Sequence, residues 1–598
     1  MSRPLRKDVP PSLTWNLSDL FPTESAWADA LSLIPTYSAA VTRYRGQLHT
    51  GPQSLWSCLV ALEKLQVYLT QVATYAQLRF SEVGSDAKNQ ANSARVAGVS
   101  AQVSADVSFI KDEILALPDK TVADYLEQEP QLNDFAKFLK DLLATKPHQL
   151  SPETEHTLAA LGEVHNSPYT IYQHSKSSDM QFAPVIDANG QEHPVSFALF
   201  EDHFEFLPDT PLRRAAYRSF TDTLQHYQNT FAATYVTEVR KHVTLARLRH
   251  YPSATEMLLE AQQVSLEMYH NLLDVIQTEL APHMRRLAKL RQRVLGLDEM
   301  RFCDLKVPLD PNFNPTTTFA EASQIILDAL SVLGTEYGHT LHKALTERWV
   351  DLADNVGKST GAFCSSPYGR HPYILITWAH TMRSTFVLAH ELGHAGHFTL
   401  AQQHQRAMNS RPSMYFIEAP STMHERLLAQ HLLRTHTDPR MRRWVIAQSL
   451  GTYYHNYVTH LLEAELQRRV FTLAEQDTPI TASLLNQLQG SVLHDFWGDA
   501  VVLDDGARLT WMRQPHYYMG LYPYTYSAGL TLSTVVAQQM ESEGQPAVDR
   551  WLQTLSAGGS LQPLELMRMA GVDMSTPAPI RQAVSYVGAL VNELENSF

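Results

Sequence analysis

The chain has 598 residues, 44% apolar and 18% charged, which is ample material for a core and too much chain for one small domain. Its 62 acidic and 48 basic residues give a net charge of −14 with no basic block, so nucleic acid is not an expected partner. Cys58, Cys303 and Cys364 lie far apart, which excludes a disulfide framework and a cysteine-built zinc cluster and suits a reducing, cytoplasmic compartment.

The opening MSRPLRKDVPPSLTW is basic but has no apolar run behind it, so no signal peptide is expected. From about Ser25 to Leu143 apolar residues recur at steps of three and four, as in WSCLVALEKLQVYLTQVATYAQLRF, predicting helices. SDMQFAPVIDANGQEHPVSF (Ser178–Phe197) predicts a strand, an Ala-Asn-Gly turn and a second strand. The helical period returns from about Pro211 to Leu248, and KVPLDPNFNPTTTF (Lys306–Phe319) reads as a proline-rich loop. HPYILITW (His371–Trp378) is β-prone. Gln514 to Met540 carries no charged residue, yet its prolines, glycines and polar side chains predict a buried, polar-lined region and not a membrane span. The pattern predicts a mainly α chain with a small sheet, divided into an N-terminal lobe (1–200) and a catalytic part (201–598).

The stretch FVLAHELGHAGHFTLA, Phe386–Ala401, carries an HExxH motif. His390 and His394 are four apart, so a helix places both imidazoles on one face, where they can bind one divalent ion. Glu391 then lies beside the ion and can take a proton from a water whose pKa the metal draws towards about 7. By chance alone, such a motif arises in a few per cent of chains this rich in histidine. Its surroundings weigh against chance. Gly393 and Gly396 each cost about 1 kcal/mol in a helix relative to alanine, which signals close approach of another element. The run Phe386, Val387, Leu388, Ala389 predicts a buried helix, in which histidines without partners are expensive.

Catalytic zinc takes three protein ligands and leaves a position open. His397 is read either as a plain neighbour of the site or as a hydrogen-bonded group behind it, since one straight helix cannot easily offer three ligands to one ion. The metzincin pattern is excluded, because His397 and Leu400 stand where it needs glycine and histidine. YFIEAPSTMHERLLAQHLL supplies Glu418, far enough downstream for a turn and a returning helix. Glu425, seven residues on, shares its face; it either orients a histidine or is an ordinary surface carboxylate.

HELGHAGH followed by FIEAPSTMHE resembles the zinc oligopeptidases of the thimet oligopeptidase superfamily, and its bacterial branch, oligoendopeptidase F, more closely. LTWNLSDLFPTESAW, GKSTGAFCSSPYGRHPYILITW and FWGDAVVLDDGARLTWMRQPHYYMGLYPYTYSAG are similar to that branch, and the likeness covers nearly the whole chain. It implies a two-lobed helical ellipsoid with a deep channel, a small β-sheet next to the zinc site, cleavage of short peptide substrates and exclusion of folded proteins. It implies one Zn²⁺ per chain on His390, His394 and Glu418, with Glu391 as general base. A histidine and tyrosines of the late block would face the substrate: His516, Tyr522 and Tyr526, with Tyr524 read as core. A phenol or imidazole there would donate to the developing oxyanion.

HPYILITW is expected to offer an exposed strand edge beside the metal, to which an extended peptide adds as a further strand. Cys364 is read as a packing thiol. A second function class remains open from residues alone: a helical binding or scaffold protein whose HExxH is incidental or holds a structural metal. So does a zinc hydrolase acting on something other than peptides.

Overall fold

The computed structural model describes residues 3–598, and the chain is mainly α with two small sheets. The N-terminal lobe is built on α1 (Glu24–Thr42), α2 (Pro52–Glu82) and α3 (Ala87–Val107). The Thr23 side chain caps α1 by accepting from Ala26 N, and Asp86 caps α3 by accepting from Lys88 N and Asn89 N. The apolar residues at steps of three and four, such as Leu55, Leu59, Leu62 and Leu65, are buried along one side of α2. A short hairpin follows, β1 (Val185–Ile186) and β2 (Glu192–His193), closed by Asp187, which accepts from Asn189 N and Gln191 N.

α4 (Thr210–Leu248) begins where Asp209 accepts from Leu212 N and Pro211 fills a first-turn position that needs no donor. It belongs to the larger second core, which begins at Tyr172 and also takes in α5 (Ala281–Leu295), α6 (Met382–His404), α7 (Ala419–Thr435), α8 (Pro439–Tyr453), α9 (His460–Glu475) and α10 (Tyr524–Glu543). The segment expected to be buried and uncharged forms most of α10, and among the described residues no helix is long and apolar enough to cross a membrane.

The second sheet has the order β3 (Val350–Asp351), β5 (Tyr373–Leu375), β4 (Phe363–Ser365). β5 runs parallel to β3 and antiparallel to β4, with Ile374 opposite Cys364. Side chains alternate across a strand. Tyr373 and Leu375 pack into the N-terminal core, and Ile374 and Ile376 into the second core. The expectation of an exposed edge at HPYILITW is therefore overturned. The strand is paired on both sides and buried on both faces, and the edge strands are β3 and β4.

Candidate active site

α6 starts at Thr381, whose hydroxyl accepts from Ser384 N, and runs through the motif without a break. Its glycines are required by close packing. A Cβ on Gly393 would lie 2.5 Å from the carbonyl oxygen of Pro420, and one on Gly396 would overlap the Tyr337 ring. From the other side, a Cβ on Gly529 of α10 would come within 3.0 Å of the Glu418 Cβ. The first turn of α7 is thus gripped between two helices that come close only because they carry glycine, and Glu418 sits at its start.

This places Glu418 Oε2 3.4 Å from His390 Nε2 and 3.5 Å from His394 Nε2. One ligand atom from each of the three residues lies within 4.8 Å of the others. Behind the cluster, His390 Nδ1 lies 2.7 Å from Glu425 Oε1, and Glu425 Oε2 accepts from Thr452 at 2.7 Å. Glu425 is thus held between two partners and is not a free surface carboxylate. With Nδ1 turned to Glu425, His390 presents Nε2 to Glu418.

The electrostatics point the same way. Burial works against a charged His390, but Glu418 and Glu425 outweigh it and hold the imidazole well above its ordinary range. Burial would raise Glu418, yet His394 and His390 keep it well below the usual carboxylate range. The cluster therefore favours positive charge at its centre, and two imidazoles with one carboxylate are a donor set suited to a divalent ion. Glu391, 5% exposed, is pushed up from the usual range by burial, against the pull of His390 and His394. Neither ring nitrogen of the fully buried His397 meets a partner among the described residues. Its ring lies against Phe398 and Phe416, and burial draws it down to about 3, so it is a neutral core residue. Of the two readings of His397, the plain neighbour agrees with the structure and the hydrogen-bonded group does not.

The late block divides. Tyr524 is fully buried, donates to Gln262 and packs against Tyr269 and Tyr415. Tyr522 and Tyr526 lie edge to face at 5.1 Å, with the His516 ring 5.5 Å and 5.7 Å from them. Burial raises the pKa of both phenols, so both keep their protons as donors.

Two residues absent from the sequence reading hold this group. Glu463 Oε2 lies 2.8 Å from His460 Nδ1 and 3.3 Å from His516 Nδ1. Burial would raise Glu463, but the two imidazoles hold it at about 2. The His460 ring stacks on Tyr526 at 4.2 Å, and its Nε2 meets His455 Nε2 at 3.1 Å. His460 and Glu463 share one turn of α9, a spacing visible in THLLEAE. Their meeting with His516, 53 residues on, is set by packing alone.

A cleft of about 950 Å³ joins these parts, lined by His390, Glu391, Glu418, Glu425, His455 and Tyr526 among others. That is at the upper end for small-ligand pockets and suits a stretch of polymer. β4 packs against α6, near enough that Glu391 helps to raise the Cys364 thiol after burial, which dominates. Such a thiol is protonated and unreactive.

The sequence profile of Peptidase family M3 matches residues 205–586, and that of Oligopeptidase F matches residues 113–182. Among curated relatives, Oligopeptidase PepF of Bacillus subtilis is 30% identical, covering 99% of this chain and 88% of its own length. Group B oligopeptidase PepB of Streptococcus agalactiae is 27% identical, covering 99% and 98%. The crystal structure of oligoendopeptidase-F from Enterococcus faecium superposes with a TM-score of 0.76 at 25% identity, covering 96% of this chain and 99% of that one.

Proposed function

On the premise that this chain belongs to peptidase family M3 and is a metalloendopeptidase of the oligoendopeptidase F kind, we propose that it hydrolyses internal bonds of short peptides, with one zinc ion on His390, His394 and Glu418 and with Glu391 as general base. The reading of a helical scaffold with an incidental motif falls with that membership. The convergence of two imidazole nitrogens and a carboxylate oxygen within 4.8 Å, beside the buried carboxylate of Glu391, carries the proposal.

A zinc ion bound there supplies Lewis acidity, which lowers the pKa of a water and polarises the scissile carbonyl. Glu391 takes the proton of the attacking water and passes it to the leaving amine; its pKa, raised by burial, suits both halves of that transfer. Glu425 fixes the ring and tautomer of His390 from behind. Tyr526, held by the stacked His460, and Tyr522 beside it donate to the charge that grows on the carbonyl oxygen. His516, steered by Glu463, is a further donor at the same place.

The substrate backbone pairs with the free edge of β4 (Phe363–Ser365), which takes over the role expected of HPYILITW. Main-chain pairing reads extended shape more than sequence, which suits broad specificity. Cytoplasmic action belongs to the same proposal and is supported by three free cysteines.

Digestion of a mixed peptide library, read by mass spectrometry with and without chelator, tests the proposal. Internal cuts in short peptides that vanish on chelation and return with zinc are expected. Intact peptides in both arms would overturn it.

A further inference from the structure

The cleft that holds His390, Glu391 and Glu418 also runs past a set of cations. Two of these are paired: Lys306 with Glu205 at 2.7 Å, and Arg440 with Asp310 at 2.8 Å. Arg291 on α5 is different. Its Nε donates to the carbonyl of Val307 at 2.8 Å, and its two Nη groups make no hydrogen bond among the described residues. No described carboxylate forms an ion pair with it. Neither Nη is a sealed, orphaned atom, so both open onto the cleft.

Arg513 provides the comparison. Both guanidiniums are enclosed and burial works against both charges. For Arg513, Glu205 and Glu201 outweigh burial and raise the pKa. For Arg291, Tyr454 alone opposes burial, and the pKa is drawn down to about 10. At neutral pH it is still a cation, enclosed and lacking a counter-ion, which is a costly arrangement in the absence of a partner. The open position for that partner is in the substrate cleft.

We propose that Arg291 anchors a carboxylate of the bound peptide through its paired Nη donors. This rests on the peptidase reading, since it takes the occupant of the cleft to be a peptide. Val307 fixes the guanidinium plane through Nε and leaves the two-donor end of the fork, which matches the two oxygens of a carboxylate. Arg383 and Arg443 line the same cleft without a carboxylate partner among the described residues and add to the positive field. A peptide carboxylate is thus drawn towards Arg291, which orients the chain. The carboxylate is either the peptide's C-terminus or an acidic side chain, and the chemistry is the same for both.

The test measures binding, not turnover. Zinc-loaded Glu391→Gln protein is titrated into a fluorescent peptide made in four forms, with a C-terminal acid or amide combined with an internal glutamate or glutamine. Removing one of the two carboxylates should raise Kd by about tenfold or more, and which one it is identifies the source. Adding Arg291→Met should make those forms bind alike, at the affinity of the neutral peptide. If that variant fails to fold, Arg291→Lys should weaken the carboxylate form more than the neutral form. Four equal Kd values in the Arg291 protein, or a difference that survives both substitutions, overturn the anchor. Turnover of the same peptides by the unsubstituted enzyme reports separately. Carboxylate-dependent binding without hydrolysis counts against the peptidase reading and for the anchor, whereas hydrolysis without carboxylate dependence overturns only the anchor.

Discussion

His390 Nδ1 and Glu425 Oε1 lie 2.7 Å apart, and Thr452 holds the other oxygen of the same carboxylate. The proposed ligand histidine is thereby fixed by a residue outside the proposed ligand set. Glu425→Gln should keep the fold and weaken zinc binding by roughly 10–100-fold, read by competition with a chromophoric chelator. Unchanged affinity would reduce Glu425 to a packing residue.

The ligands and the base should separate by metal content. His394→Ala should lose stoichiometric zinc and all peptidase activity, because one of three ligand atoms is gone. Glu391→Gln should retain one zinc per chain and lose turnover. Metal analysis of the two purified variants distinguishes the roles, and a zinc-free Glu391→Gln protein would recast Glu391 as a ligand.

Tyr526 lines the cleft with Glu391 and Glu418, and Tyr522 sits beside it, 5.1 Å away. Tyr526→Phe should lower kcat by on the order of 10²–10³ and move KM little, as loss of an oxyanion donor does. Tyr522→Phe should have the same sign and a smaller size. Wild-type kcat in both would transfer the donor role to His516.

Gly393→Ala inserts a methyl group 2.5 Å from the Pro420 carbonyl oxygen. Backbone cannot yield there as a flexible side chain could, so the helices must part at a cost of about 1–3 kcal/mol. Thermal unfolding should show a lower Tm, together with weaker zinc binding as Glu418 moves off the histidines. A full-affinity, full-Tm variant would mean that the two helices have slack.

Much of this was readable beforehand because it is local. The HExxH helix, the capped helices of the N-terminal lobe and the hairpin around Asn189 depend on neighbours within a few residues. HPYILITW was misread because strand order is not local, though its unbroken apolar run fits a strand buried on both faces better than an edge. The His455, His460 and Glu463 group escaped for a related reason. Its meeting with His516 depends on how α9 packs against the late block, and no short-range spacing encodes that. Arg291 is one basic residue among several on an amphipathic helix, and what sets it apart, burial beside the Val307 carbonyl without a carboxylate partner, comes from packing.

β5 and the residue after it contribute Tyr373 and Leu375 to one core and Ile374 and Ile376 to the other. Four consecutive residues therefore tie the two folding units together. Melting either unit strips one face of this strand and loosens its pairing with β4, so the two should denature as a single cooperative unit and not in sequence. The same sharing limits modularity. A catalytic fragment lacking the first lobe would expose Tyr373 and Leu375 beside its own substrate edge, an apolar, half-paired surface prone to self-association. The peptidase is thus inseparable from its N-terminal lobe for reasons of solubility before any question of substrate access arises.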